Sequence, residues 1–197
     1  DSLRHFTARF ATDQEIDNWD DHVTSNPNGG NLLQSASFAS VKSAHGWKPV
    51  FMVYEGVTEV GEGNDVEERE VSSYNLILEK SIPLLGKIWY MIKGPDVTDI
   101  EDIPAIMEAN REFVRSNGLK VFAIKIEPDI EDSESRSAFL HRAGLVKQFN
   151  IQPNDSTAIL RTDADEETVL KSLHSRGRNA VRRAKREGAE VEQVELT

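Results

Sequence analysis

Seven basic residues and no acidic residue lie between positions 171 and 186, which is the strongest chemical signal in the sequence. At 3.6 residues per turn, Arg178 and Arg182 share one helix face, with Arg176 and Arg183 beside them. Neighbouring like charges destabilise a helix, whereas a guanidinium binds phosphate oxygens through two parallel hydrogen bonds. The run is therefore either a solvated helix face or a phosphate-binding surface. Its members are Lys171, Arg176, Arg178, Arg182, Arg183, Lys185 and Arg186.

Lys42 is a second candidate ligand for an anion. It follows Phe38 and Val41 in a short predicted helix over residues 35–45, and Gly46-Trp47 comes directly after that helix. In the simpler interpretation Phe38 and Val41 pack inward and Lys42 is a solvated surface lysine. In the functional interpretation the ammonium of Lys42 points at an anionic ligand as a compact charge with three donors.

Tyr90 and Lys93 are candidates for contact with a substrate. They belong to a predicted strand that ends in Gly94-Pro95. Side chains at such a strand end lie at a sheet edge where ligands often bind. The alternative is a plain strand-to-helix turn in which Tyr90 is half-buried.

The composition excludes several kinds of site. The chain has 197 residues, a net charge of −11 and no cysteine, so thiolate catalysis and disulfides are ruled out. Its five histidines lie in unrelated segments without the spacing of a zinc site. We find no Ser-His-Asp arrangement, no P-loop and no GxGxxG motif. A chain this acidic should repel nucleic acid as a whole.

Strand and helix patterns alternate along the chain and place these residues. We predict strands over residues 3–11, 49–54, 73–80, 87–92, 121–126, 145–151, 157–160 and 191–196, of which 121–126 is of the buried type. A capping box of Thr12 and Glu15 predicts a helix over residues 13–23. We predict further helices over residues 35–45, 98–117 and 133–143, and one unbroken helix from Asp163 through Arg183 with Leu170, Leu173 and Val181 buried. Residues 55–70 are acidic with few large apolar side chains, which predicts a poorly ordered hairpin loop.

The mixed order of these elements predicts an α/β (α+β) fold with one central, partly antiparallel sheet flanked by helices. The alternation of strand and helix patterns begins again near residues 145–153. We therefore place a first domain at 1–148 and the opening of a second domain at 149–197. One helix and two strands rarely bury a core alone, so the second domain looks cut short.

Three of these segments, in this order, resemble motifs of the FemABX family. The first is Gln34-Ser35, then Lys42 and Gly46-Trp47, with Phe38 where the family has Trp. The second is Tyr90 followed by Gly94-Pro95, with Ile92 in place of a proline. The third and most specific runs from Gln152-Pro153 through Arg178, Val181, Arg182, Ala184 and Gly188.

The resemblance implies two tandem domains of the GNAT acyltransferase fold and an enzyme of peptidoglycan synthesis. Family members transfer an amino acid from aminoacyl-tRNA to the side-chain amine of the third residue in the peptidoglycan stem peptide, without metal or another cofactor. The acceptor is a UDP-linked or lipid-linked precursor, which implies a cytoplasmic enzyme working at the inner membrane face if the acceptor is lipid-linked. Lys42 and Arg178 fall where the family places the residues that hold the precursor's phosphates. The general base stays open.

Three alternatives remain. A GNAT enzyme that uses acetyl-CoA needs a Gly-rich pyrophosphate loop, which we do not find. A nucleic-acid-binding module built on the Arg178 helix conflicts with the charge of −11. A non-catalytic remnant or scaffold is compatible with the sequence.

Overall fold

The computed structural model describes residues 4–60, 67–148, 151 and 160–192. Its centre is a five-stranded sheet in which the strands follow chain order. Strands β1 to β4 pair antiparallel, and β4 and β5 pair parallel. The strands are β1 (Phe6–Phe10), β2 (Lys48–Val60), β3 (Glu67–Ile82), β4 (Gly86–Ile92) and β5 (Val121–Glu127). The predicted fold class, a mixed sheet flanked by helices, is confirmed.

Five α-helices lie between or after the strands of this part of the described chain, and some of them begin at a residue whose side chain caps the helix. The first predicted helix is two short ones, α1 and α2, which meet at Asn18, and the predicted capping box of Thr12 and Glu15 opens α1. Ser35 caps α3, but α4 begins at Asp102 without a side-chain cap at its N-terminus. The helices of this part are α1 (Asp13–Asp17), α2 (Trp19–Thr24), α3 (Ala36–Ala44), α4 (Asp102–Ser116) and α5 (Glu134–Arg142).

The sheet buries an apolar layer on each face. On one face Tyr54, Trp89 and Ile106 belong to the larger cluster, which α4 helps to form. On the other face Trp19, Leu78 and Tyr90 belong to a second cluster that includes residues of α2 and α3. Burial of such side chains is the main stabilising term of this fold.

Three sequence predictions are corrected. Residues 55–60 and 67–70 are not a loop. Glu55 and Gly56 pair with both β1 and β3, and residues 57–60 pair in register with 67–70 as a two-stranded ribbon that continues the β2–β3 ladder. Residues 145–148 form no strand. Strand β5 is an edge strand with half-buried and exposed side chains, rather than a fully buried one.

Two predicted strands lie mostly outside the described residues. Of the strand at residues 157–160 only Leu160 is described, and it is irregular. Of the strand at residues 191–196 only residues 191–192 are described, and they are irregular.

The chain divides into two compact units, residues 1–147 and 148–197. In the described part of the second unit the predicted long helix is two helices, α6 (Glu166–Ser172) and α7 (Ser175–Arg186). Leu173 and His174 adopt extended backbone angles between them. Leu170 and Leu173 are half-buried, and Val181 is 37% exposed, so the predicted burial is wrong for all three. No helix in the described ranges is long and apolar enough to cross a membrane.

Candidate functional site

Strands β3 and β4 separate at the end of β4, and polar side chains fill the space between them. Their ladder covers only the pairs from Leu78–Tyr90 to Ile82–Gly86. Beyond it, the buried amide of Gln34 accepts from Leu76 N at 2.6 Å and donates to the carbonyls of Leu76 and Ile92, at 3.2 and 2.5 Å. Gln34 thus satisfies main-chain groups that no strand reaches.

Asn26 plays the same role one step further along β3. Its side-chain amide accepts from Tyr74 N and donates to Tyr74 O, both at 2.7 Å. Asn75 accepts from Asp96 N at 2.8 Å, and Ser73 Oγ donates to Asp96 O at 2.6 Å. The main chain after Gly94-Pro95, which is a cis peptide, is therefore held to β3 by side chains.

Asp96 ties the 26–31 loop to this strand end. Its two carboxylate oxygens accept from Asn28 N at 2.8 Å and Gly30 N at 3.1 Å. Burial raises the pKa of Asp96, while the two backbone donors oppose that rise and the nearby charge of Asp129 adds to it. Because each of its oxygens has a partner, Asp96 is a structural carboxylate and not a free acid or base.

Tyr90 and Glu127 form a pair across the parallel strands β4 and β5. Tyr90 is buried and its hydroxyl donates to Glu127 Oε2 at 2.7 Å. Lys125 Nζ lies 3.6 Å from Glu127 Oε1. Tyr90 is fully buried rather than half-buried. Its hydroxyl is linked to the strand end by the hydrogen bond to Glu127.

Lys93 lies at the same strand end. It has a positive φ of 54° and its ammonium donates to Asp129 Oδ1 at 2.9 Å. Asn28 and Asn31 donate to Asp129 as well, at 3.0 Å each. A left-handed backbone at a non-glycine residue is uncommon, and here it turns Lys93 toward the loop that carries these asparagines.

Lys42 lies on the face of the sheet that carries Tyr90. Its ammonium stands 5.1 Å from the centroid of the Phe38 ring, and it makes no salt bridge within the described part of the chain. The main-chain carbonyl of Lys42 accepts a hydrogen bond from Trp47 N at 3.1 Å. The ring of Trp47 lies 6.1 Å from that of Tyr90, and Lys80 Nζ stands 5.1 Å from the Trp47 ring. Val41 was predicted to pack inward, but it is 55% exposed because Ala39 faces the core instead.

In the second unit, Arg178 has a structural contact. Its Nη1 donates to the carbonyls of Lys171 at 3.0 Å and Leu173 at 2.5 Å, at the end of α6. Arg176 and Arg182 are exposed. The acids that pair with this basic run lie just outside it: Glu187 bonds Arg183 at 2.7 Å and Glu167 bonds Lys171 at 2.7 Å.

The structure thus gathers part of the predicted site. Tyr90 and Lys93 share one strand end, and Trp47 connects Lys42 to Tyr90. Lys42 and Arg178 belong to different compact units, so their convergence on one ligand stays a prediction. No group of three metal-ligating side chains occurs in the ranges that the structure describes.

Sequence reasoning missed Glu127 as a member of the polar cluster at this strand end. The only signal was its position as the last residue of a strand before Pro128. Nothing in the sequence fixes the register that sets Glu127 opposite Ile92 and within reach of the Tyr90 hydroxyl.

No family model matches the chain, and no curated protein matches it. Solved structures that are similar in fold include an acetyltransferase of Trypanosoma brucei, with 14% identity, a TM-score of 0.38, and coverage of 77% of this chain and 99% of that one. A second is a glucosamine-6-phosphate N-acetyltransferase from Arabidopsis thaliana, with 11% identity, a TM-score of 0.39, and coverage of 77% of this chain and 99% of that one. A third is a probable acetyltransferase, with 10% identity, a TM-score of 0.36, and coverage of 81% of this chain and 99% of that one. Similarity at these scores does not assign an activity.

Proposed function

We propose that this protein is an acyltransferase that moves an amino acid from aminoacyl-tRNA to a side-chain amine of a peptidoglycan precursor. The observation that carries the proposal is the position of Lys42, a cation without an acidic partner among the described residues and connected through Trp47 to Tyr90. The order of the FemABX-like motifs supports it. In that family two such domains stand in tandem, and we propose that residues 149–197 open the second.

The phosphates of the precursor are the proposed ligand of Lys42. Lys42 forms no ion pair with a described carboxylate, so its charge is not neutralised within the described part of the chain. A compact ammonium held above an aromatic ring is available to a phosphate. Arg178, Arg176 and Arg182 are the proposed cations of the second unit, with Arg178 also holding the end of α6.

The reaction needs no side-chain nucleophile. The ester of aminoacyl-tRNA is already activated, and an amine attacks its carbonyl carbon directly. Holding the amine and the ester in contact supplies most of the acceleration in such a reaction. Lys93 is the proposed contact of the stem peptide at the end of β4, and Tyr90 acts there through Glu127.

A transfer assay with the full-length protein tests this proposal. The acceptor is UDP-linked pentapeptide with lysine at position three, and the donors are a pool of charged tRNA and, separately, acetyl-CoA. We expect amino-acid transfer from tRNA and no acetylation. Acetyl transfer alone would establish the acetyl-CoA enzyme instead, and transfer from neither donor to this acceptor would refute the proposal.

A further inference from the structure

One oxygen of the Glu127 carboxylate lacks a hydrogen-bond donor. Oε2 accepts from Tyr90, whereas Oε1 is buried and makes no hydrogen bond within the described part of the chain. Its nearest charged neighbour there, Lys125 Nζ, stops at 3.6 Å, beyond hydrogen-bond distance. Buried polar atoms in native proteins nearly always have a partner, and an unsatisfied one calls for an explanation.

The missing partner must be a donor. A carboxylate accepts hydrogen bonds and donates none, so a phosphate or another carboxylate does not fit beside Oε1. The strongest donors to a carboxylate are nitrogen groups that carry or share positive charge. Lys125 places one primary ammonium 3.6 Å from this oxygen, so a carboxylate–ammonium pair is already present at this strand end.

The position of Glu127 also favours a ligand. It is the last residue of β5, its side chain is 21% exposed, and its backbone N–H donates to Gly94 O at 3.1 Å. The carboxyl ends of the parallel strands β4 and β5 therefore meet at Glu127. Ligands of open α/β sheets commonly bind beyond the carboxyl ends of parallel strands.

We propose that Glu127 Oε1 binds the amino group of the acceptor and takes the proton that this amine loses. This inference rests on the proposed function. As the nitrogen attacks the ester carbonyl, a C–N bond forms and the C–O bond to the tRNA ribose breaks. The bound ammonium first loses one proton to solvent. As the resulting neutral amine attacks, it gives its second proton to Glu127, which passes it to the departing ribose oxygen, so the carboxylate ends as it began. Tyr90 is a positioning residue that holds Oε2 and so aims Oε1.

Calorimetry on the full-length protein separates this inference from the proposed function. The three probes are UDP, the UDP-linked pentapeptide with a free lysine amine, and the same pentapeptide with that amine acetylated. Wild-type protein should prefer the free amine roughly ten- to a hundredfold, the range of one charge-assisted hydrogen bond. Glu127→Gln should lose that preference and still bind UDP. Tyr90→Phe should reduce the preference by a smaller factor.

Glu131→Gln is the matched control, because Glu131 is a nearby exposed acid whose side chain forms no hydrogen bond or ion pair with the described residues. It should keep the full preference. In the transfer assay Glu127→Gln should slow turnover by roughly a hundredfold or more, the range of general-base catalysis.

An unchanged preference in folded Glu127→Gln would overturn the inference while leaving the proposed function intact, and would mean that Oε1 holds only a buried water. If wild-type protein binds UDP but neither pentapeptide, the acceptor itself is wrong and both proposals fall. Circular dichroism checks that each variant is folded.

Discussion

Two side-chain amides replace a neighbouring strand along the part of β3 that β4 leaves. Asn26 pairs with both main-chain groups of Tyr74, and Gln34 pairs with both of Leu76. Each amide presents an N–H donor and a carbonyl acceptor side by side, as the edge of a strand does, and Gln34 also donates to Ile92 O. The separation of β3 from β4, which creates the polar strand end, therefore leaves these buried main-chain groups satisfied.

We expect Gln34→Ala to destabilise the protein by about 2–3 kcal/mol. The change leaves the buried N–H of Leu76 and the carbonyl of Ile92 without Gln34 as partner, and each such group costs about 1–3 kcal/mol, part of which water recovers. Urea denaturation measures the free energy of unfolding. Gln14→Ala, on the exposed side of α1, is the control. A loss below about 0.5 kcal/mol in Gln34→Ala would show that its hydrogen bonds are dispensable.

At this scale the sequence predicted types of residue better than their contacts. Tyr90 and Lys93 were correctly placed at a strand end beside a Gly-Pro turn, because apolar alternation and turn residues are local signals. That Tyr90 is bonded to Glu127, and Lys93 to Asp129, depends on the pairing of β4 with β5 across α4. No local pattern encodes a partner that is 36 or 37 residues away.

The break between α6 and α7 shows what decides helix continuity at the level of elements. Gly177 is the residue with the lowest helix propensity in the predicted long helix, yet it lies inside α7. The break falls instead at Leu173 and His174, where the His174 ring accepts from Arg176 N at 3.4 Å and Arg178 takes the carbonyls that end α6. Side chains that cap a helix end compete with its continuation, and a pattern of apolar spacing does not include that competition.

We expect Arg178→Ala to loosen the end of α6. The substitution removes the donor to the carbonyls of Lys171 and Leu173, which the last turn of a helix otherwise leaves unpaired. Amide hydrogen exchange should rise at least several-fold in residues 170–175. Arg182→Ala is the control, since Arg182 is an exposed arginine of the same helix without a contact to α6 among the described residues. Equal exchange in the two variants would contradict the structural role of Arg178.

The junction of β1 and α1 predicts a dependence of stability on pH. Arg9 bonds both oxygens of Glu15, at 2.8 and 2.9 Å, and these bonds lower the pKa of Glu15 to about 2. The unfolded chain has a pKa near 4.3 at this residue. The stabilisation is therefore complete above about pH 4.5 and is lost as the pH falls toward 2.

We expect Glu15→Gln to be less stable than wild type by about 1–2 kcal/mol at pH 7, a value reduced from the full linkage for solvent screening. That difference should vanish near pH 2. Urea denaturation at pH 7, 4 and 2.5 measures it, with Glu112→Gln on the exposed side of α4 as the control. A difference that stays constant across this range would mean that the ion pair is not its source.

At the scale of the whole molecule, charge is divided between the segments of the chain. The net charge is −11, while residues 171–186 carry seven basic residues and no acid. The acids at Glu167 and Glu187 pair with only the ends of that run. Arg176 and Arg182 are exposed, and a phosphate-bearing partner for them stays a proposal.

The order of elements was the most predictable feature of the molecule. Capping signals and apolar periods correctly placed β1 to β5, α3 and α5, because each depends on a short stretch of sequence. The ribbon at residues 57–60 and 67–70 was missed because its acidic residues obscure the strand pattern, while its main chain continues an existing ladder. The relation of Lys42 to Arg178 depends on how two units assemble, which local sequence does not encode.

The affinity of the Lys42→Ala variant for UDP-linked pentapeptide tests the central claim most directly. With the full-length protein, calorimetry at low and moderate salt should show a ten- to a hundredfold weaker binding, because a charge-assisted contact is worth about 1.5–3 kcal/mol. The salt dependence of binding should also decrease. Lys120→Ala should bind as wild type does, because Lys120 is an exposed lysine just before β5 whose side chain forms no hydrogen bond or ion pair in the described ranges. Equal affinity in folded Lys42→Ala and Lys120→Ala would contradict the account, because the phosphates would then have no contact with Lys42.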